Sequence, residues 1–362
     1  IQYSKNLFGD GEYTLILPQA QSTLDKFTHK ERFDISCLEE KVKTVLLICR
    51  PRVEQKQSDD SLSIASYNLK NLSSNDQSRI DETGDMITNS LGCPDILGLV
   101  EVQDDNGLDF MGNSHAQITI NKIIAAIDCD GKSYRSLNIN PSLHTEGGQP
   151  GGNIRVAMIF DENKLGFTRR GVQGARVETR VLRGGILSTN PGRIFPNERA
   201  FLRTRKSIIA QFDFRGESIY VIVNHFNSKL GDSGQWGAVH PIKRGSERKR
   251  AKLAYKMNDF VTLIERRNPK AKIAVIGDFN AYLNEAPMKI LEGHSLFNLM
   301  RTLPVDQRYT TNHNGNSQSL DYIFINKGFQ ANEPMFKVLH LNSDYMGRLS
   351  DHDPIYSLFN FR

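Results

Sequence analysis

The chain has 362 residues, enough for one large domain or two ordinary ones, and 38% of them are hydrophobic, enough for a substantial core. No run approaches the ~18 apolar residues a membrane span needs, so no span is expected. The net charge is +5, and the excess is clustered: Arg169 to Lys206 holds ten Arg or Lys against two acids, Glu178 and Glu198. A second cluster is Lys243, Arg244, Arg248, Lys249, Arg250 and Lys252. Such patches fit a polyanionic, phosphate-rich partner, against the ordinary alternative of a solvated surface.

Residues 1–60 read as a short β-rich accessory segment of unknown role. "YTLIL" and "VKTVLLICR" are strand-like, and the polar stretch "VEQKQSDDS" is turn-rich and reads as a linker. The chain opens on Ile1, which a cleaved signal peptide or a trimmed sequence would each explain. Cys37, Cys49, Cys93 and Cys129 contain no C-x-x-C pair, which argues against a zinc or redox site. One or two disulfides are expected, and with them an oxidising compartment and a secreted protein; buried free thiols are the equal alternative. Asn71-Leu72-Ser73 is a lone glycosylation sequon.

A different rhythm covers 61–362. "LSIASYNL" reads as a strand, "RIDETGDMITNSL" as a helix with Ile80, Met86, Ile87 and Leu91 on one face, and "DILGLVEV" as a buried strand. "AQITINKIIAAID" reads as a helix whose apolar side is Ile118, Ile120, Ile123, Ile124 and Ile127. Strands then follow at "YRSLNI", "IRVAMIF", "KSIIAQFDF" and "SIYVIVNHF". After a helix near 245–266 come "KIAVIGDF", "SLDYIFI" and "IYSLFNF". Strands outnumber helices, so the expected class is α/β in its α+β form: two packed, mainly antiparallel sheets with helices outside.

Polar residues recur where these apolar strands end. Asn68 follows "SIASY", Glu101 ends "DILGLV", Asn224 and His225 end "YVIV", and Asp278 and Asn280 close "IAVIG". Asp321 opens "YIFI", and Asp351 and His352 precede "PIYSLF". Taken singly, each has an ordinary explanation as a turn or solvated residue. Together the types fit one reaction, hydrolysis of a phosphodiester with a hard cation. Magnesium takes oxygen ligands and keeps several waters, so Glu101 and Asn68, with Asp351, suffice. Asp278 is placed to activate water. Asn280, His225 and His352 are candidate donors to the charge that develops on phosphoryl oxygens, with Asp321 orienting His352.

The ordered segments "SYNLKNL", "PDILGLVEVQD", "GGNIRVAMIF", "VNHFNSK", "GDFNAY", "SLDYIFIN" and "SDHDP" resemble the endonuclease/exonuclease/phosphatase superfamily over about 61–362. Their wording is most similar to secreted microbial nucleases. The resemblance implies a four-layer α/β sandwich with its site at the top of two sheets. It also implies metal positions at Asn68, Glu101 and Asp351, and catalytic positions at Asp278, Asn280, Asp321, His225 and His352. It places Arg155 against the phosphate.

The cofactor expected is Mg2+, or Ca2+ or Mn2+. The substrate expected is nucleic acid, DNA first, cut with little sequence preference by a monomer. Asn224 and the arginines Arg176, Arg180 and Arg183 of the basic stretch, read as a substrate-binding insertion, join Arg155 as substrate-binding candidates. Two alternatives stand beside this reading. One is a phosphoric-ester hydrolase acting on a lipid or an inositol phosphate, for which the single tryptophan, Trp236, offers thin support. The other is an inactive member that only binds nucleic acid.

Overall fold

In the computed structural model, residues 51–53, 57–234, 237–344 and 348–361 are described, together with the backbones of two N-terminal strands. The chain divides into two units, Ile1–Arg52 and Val53–Arg362. In the first, β1 (Gln2–Lys5) and β2 (Gly11–Thr14) pair antiparallel. Most of the strand expected at "YTLIL", all of the strand expected at "VKTVLLICR", Cys37 and Cys49 lie outside the described residues, as does Trp236.

The second unit is built on two sheets. The first is formed by β3 (Ser61–Leu72), β4 (Ile96–Val102), β5 (Tyr134–Asn138), β6 (Arg155–Asp161), β16 (Met335–Val338) and β17 (Ile355–Asn360), in the order β16-β17-β3-β4-β6-β5. The second is formed by β7 (Gly166–Phe167), β8 (Gly192–Arg193), β9 (Ile208–Phe214), β10 (Glu217–His225), β11 (Lys272–Asp278), β12 (Leu296–Asn298) and β15 (Asp321–Asn326). Its order is β12-β15-β11-β10-β9-β7, with β8 also on β9. A hairpin of β13 (Thr311–His313) and β14 (Asn316–Gln318) stands apart.

Each sheet has one parallel pair, β3 with β4 and β10 with β11, and every other pairing is antiparallel. A parallel pair brings two strand ends to the same edge. The antiparallel neighbours β17 and β15 begin at that edge. These six strand termini, with the starts of β6 and β9 beside them, meet there.

Alternation along the strands sorts the core into layers. Leu62, Ile64, Ile96 and Val100 face the space between the sheets, with Val223 and Ile276 opposite. Ala65, Tyr67, Leu97 and Leu99 face outward, against Ile80, Ile87, Ile120 and Ile123 of the helices Gln77–Asp85 and Gln117–Ala125 and the π-helical turn Met86–Ser90. The helix Glu247–Arg267 covers the other sheet with Leu253, Met257, Phe260 and Ile264. Gly98 of β4 lets the sheets close: a Cβ there would lie 2.8 Å from Ile276 Cδ1 and 3.0 Å from Val223 Cγ2.

The helix Gln117–Ala125 corrects one expectation. Ile120 and Ile123 are buried, but Ile118 is exposed, because it lies off the 3.6-residue face that the other isoleucines share.

Cys93 and Cys129 form a disulfide with Cα atoms 6.0 Å apart, closing a separation of 36 residues behind the first sheet. Closing a loop of that size removes chain entropy worth about 4 kcal/mol from the unfolded state. Replacing Cys129 by Ser should lower unfolding free energy by roughly 2–4 kcal/mol in a denaturant titration under non-reducing conditions. An unchanged midpoint would show that the bridge adds no stability.

Candidate active site

The rim where the six strand termini meet carries the polar residues singled out from the sequence. On β10, the odd-numbered residues face the inter-sheet core, so His225 falls in line with Val223; on β11 the even-numbered ones do, so Asp278 follows Ile276. Asn68 continues the inward face of β3. Glu101 has the wrong parity, since Ile96 and Val100 point inward and Glu101 should not. Its backbone solves this with φ of +60°, which swings the carboxylate to the mouth. For a residue with a Cβ that conformation costs about 1–2 kcal/mol.

Next to it, Lys70 and Asn71 also have positive φ, 49° and 54°, where the β3/β4 register shifts. This irregularity turns the Asn71 amide onto Glu101 Oε2 at 3.1 Å. The end of β11 needs Gly277: its φ is +125°, and a Cβ there would stand 2.1 Å from Asn224 O. Without it Asp278 could not lie against β10. Asn280 follows with φ of +50°. It grips Asp278, its backbone amide donating to Oδ1 at 2.8 Å and its Nδ2 to Oδ2 at 3.1 Å.

The cluster is tight. Asn68 Nδ2 donates to Glu101 Oε1 at 3.3 Å and to Asp278 Oδ2 at 3.2 Å. His225 Nε2 lies 3.6 Å from both carboxylates. Ligand atoms of Glu101, His225 and Asp278 lie within 4.8 Å of one another, as do those of Asp278, Asp321 and His352. Asp321 Oδ2 accepts from His352 Nδ1 at 2.7 Å and from Thr310 Oγ1 at 2.7 Å. His352 Nε2 is then 4.0 Å from Asp278 Oδ2.

Burial sets the charge states. Glu101 is pushed above the usual carboxylate range by burial, and Asp278 is raised by the same cause to about 7. His225 is held well below its ordinary value by burial, with Arg205 and His352 adding to the effect, so it is neutral. Burial opposes the charge of His352 too, but Asp321 and Asp278 together outweigh it and keep the imidazole charged. The two histidines are thus fixed in opposite states a few ångströms apart.

Among the described residues, neither Glu101 nor Asp278 has a Lys or Arg ion-pair partner. His225 Nδ1 is buried with no hydrogen-bond partner. A site with one buried and one half-buried carboxylate, a carboxamide and no paired lysine or arginine among the described residues fits a hard divalent cation.

Not every candidate joins the cluster. Asp351 is exposed at the lip, although its charge still raises Glu101 and His352. Asn224 points away from the mouth: its Oδ1 accepts from Ser207 Oγ at 2.6 Å and its Nδ2 donates to Ile276 O at 3.3 Å. Arg155 is buried, with its guanidinium spent on Asn140 Oδ1 at 2.7 Å, Asn153 O at 2.6 Å and Ser114 O. It braces the loops behind β4 instead of facing a phosphate.

Arg176, Arg180 and Arg183 are exposed, but the basic stretch is an ordered edge on the second sheet, not a free insertion. Arg176 lies near the rim, beside Ala175, whose carbonyl accepts from Arg193 at 2.9 Å. Arg183 lies at the other end, since Gly185 O accepts from the Tyr220 hydroxyl. Tyr220 is five residues before His225 on β10, roughly 16 Å away.

Three contributors escaped the sequence reading. Arg205 is buried beside the mouth and donates to Phe226 O at 2.6 Å; burial lowers the pKa of its guanidinium, and Glu101, Asp278 and Glu146 oppose that shift. Thr310 fixes Asp321, and Ser350 Oγ donates to Asn68 O at 2.7 Å, tying the last motif to β3. Only Ser350 carried a signal, its place directly before Asp351-His352.

Because Glu101 is half-buried beside the like-charged Asp278, replacing it by Gln, which keeps the shape and removes the charge, should stabilise the cation-free protein. The expected rise in melting temperature is about 2–4 °C, the shift that ~1 kcal/mol produces in a large domain. A fall instead would mean the carboxylate is held by favourable contacts and needs no cation.

No curated protein matches the sequence significantly. Solved structures do share the fold. A humanized D. rerio TDP2 with 14 mutations is 19% identical, with a TM-score of 0.52 over 84% of this chain and 100% of that one. D. rerio TDP2 complexed with a single-strand DNA product is 19% identical, with a TM-score of 0.51 over 83% and 99%. The human nocturnin catalytic domain with bound sulfate is 16% identical, with a TM-score of 0.54 over 87% and 99%. Residues 168–348, half of the chain, match the endonuclease/exonuclease/phosphatase family model. The chain therefore belongs to the endonuclease/exonuclease/phosphatase family of phosphoesterase hydrolases.

Proposed function

We propose that this chain is a divalent-cation-dependent phosphodiesterase that cleaves nucleic acid, DNA foremost, with little regard to sequence. The observation that carries the reading is the convergence of Asn68, Glu101, His225, Asp278 and His352 on one buried mouth. Asn68 and Glu101 would hold the ion, with Asp351 at the lip. Oxygen donors favour Mg2+, or Ca2+ or Mn2+. When bound, the cation neutralises charge on the scissile phosphate and eases departure of the leaving oxygen.

The protein supplies the rest. Asp278, poised near neutrality and gripped by Asn280, takes the proton from an attacking water. His352, charged and fixed by Asp321, donates through Nε2 to the phosphoryl oxygens. His225 stays neutral, so it adds a hydrogen bond to the phosphate without repelling the cation. Arg205 contributes a buried positive field from behind. The basic surface favours a polyanion, and the shared fold of a TDP2 complexed with single-strand DNA product supports nucleic acid by likeness of fold alone. The Cys93–Cys129 disulfide supports an oxidising, extracytoplasmic setting, and we take the enzyme to act as a secreted monomer.

Supercoiled plasmid should be nicked in the presence of magnesium and spared with a chelator. Asp278→Asn, His225→Ala and His352→Ala should each slow nicking at least ~100-fold. Release of product from sphingomyelin or an inositol phosphate, with plasmid intact, would reassign the substrate.

Protons and cation compete for the same carboxylates. Asp278 titrates near 3.9 when unfolded and at about 7 when folded. The folded cation-free protein thus holds an extra proton between those values. Its stability falls as pH rises through that window, while cation binding strengthens. Magnesium should accordingly raise the melting temperature more at pH 8 than at pH 6; equal shifts would mean that the ion binds away from Asp278 and Glu101.

A further inference from the structure

Outside the catalytic mouth, a cavity of about 360 Å³ opens between the segment before β9 and the helix Glu247–Arg267. It is lined by Glu198, Arg199, Ala200, Lys252, Tyr255 and Lys256, with Ala251 at its floor. Arg199 and Lys252 are exposed and have no ion pair or side-chain hydrogen bond with any described residue. Tyr255 is 59% exposed, an unusual state for a large aromatic ring. The one acid in the lining, Glu198, is spent on Lys256 at 3.3 Å.

The cavity adjoins the active site along the chain: Arg205, six residues after Arg199, donates to Phe226 O, next to His225, at 2.6 Å. Lys249 Nζ donates to Leu202 O at 2.6 Å, locking the helix to the segment that carries Arg199 and Arg203. Buried Arg250 anchors the start of the same helix to the chain just beyond His225, through Ser228 O at 3.1 Å and Asp232 at 3.3 Å. Lys249, Lys252 and Lys256 recur at helical spacing and share a side of the helix. Seven residues of helix span about 10 Å. That is enough to reach two successive phosphates of one strand.

We propose that this cavity is an extended phosphate-binding groove that takes the nucleic-acid backbone beyond the scissile bond. The groove rests on the nuclease reading above and adds to it which surface tracks the strand. Arg199 and Lys252 bind backbone phosphates directly, Arg203 and Lys249 bridge to the mouth, and Tyr255 packs on a sugar or base. The arginines Arg180 and Arg183 are not on this path, since their edge of the sheet runs to the end opposite His225.

The test compares wild type with the surface double variant Arg199→Glu/Lys252→Glu, on a dinucleotide and on strands of about twelve nucleotides. Wild type should gain at least ~10-fold in kcat/KM with length, and the variant should lose that gain through KM. Binding of a labelled strand to the His352→Ala protein should fall with rising salt. Adding the two reversals should flatten the log–log slope by about 1.5, two phosphate contacts' worth. An undiminished length gain with an unchanged slope, in a wild type that binds and cleaves strands, overturns the groove alone. A wild type that hydrolyses a small aryl phosphodiester but neither binds nor cleaves strands overturns the nuclease reading, and the groove with it.

Discussion

Everything at the mouth depends on two carboxylates, buried Asp278 and half-buried Glu101, held side by side with no lysine or arginine among the described residues paired to either. Like charges in a low-dielectric setting repel strongly, and each resists ionisation there. The fold nevertheless forces them together. Glu101 is turned inward by a left-handed backbone, and Asp278 is seated by a glycine that nothing else could replace. The surroundings are arranged about this pair: an amide bridging both, one neutral histidine, one charged histidine and a buried guanidinium. A cation bound there would relieve this repulsion.

The architecture makes the strain affordable. Ridges of Ile, Val and Leu seal the inter-sheet space directly beneath the mouth, and Gly98 permits the sheets to approach there. One parallel pair per sheet sends four strand ends to one rim, and the two antiparallel neighbours bring Asp321 and His352 to the same place. Residues spread from Asn68 to His352 thus act as one group.

Much of this was legible from sequence because strand periodicity is strong in the buried elements. The central strands were all visible as apolar runs, and the polar residues at their ends marked the rim. Short edge strands such as β7, β8, β12 and β16 were not, since two to four residues carry no period and their register comes from neighbours. Asn68, Asp278 and His225 could be placed by alternation. Glu101 could not, because its inward turn breaks alternation and only the backbone shows it. Arg155 and Asn224 misled for one reason: a polar residue near a strand end can face either the mouth or the interior, and their partners lie in the interior. Arg205 was hidden among nine other basic residues in the same stretch, and nothing in its type distinguishes a buried guanidinium from an exposed one.

The basic surface shows the same limit on a larger scale. Clustering in sequence pointed to Arg176, Arg180 and Arg183, but the fold strings them along a sheet edge that leads away from the mouth. In the proposed groove the cations come from the segment before β9 and one face of the helix after β10, members of the same two sequence clusters that their types alone could not tell from the rest. Charge composition forecast a polyanion; only tertiary structure assigns the surface that meets it.

The most direct test of the central claim is the position of the ion itself. Crystals of the protein soaked in manganese, with anomalous diffraction recorded, should give one strong peak within coordinating distance of Glu101 and the Asn68 carboxamide, beside Asp278. A peak elsewhere, or none at saturating manganese, would contradict the account.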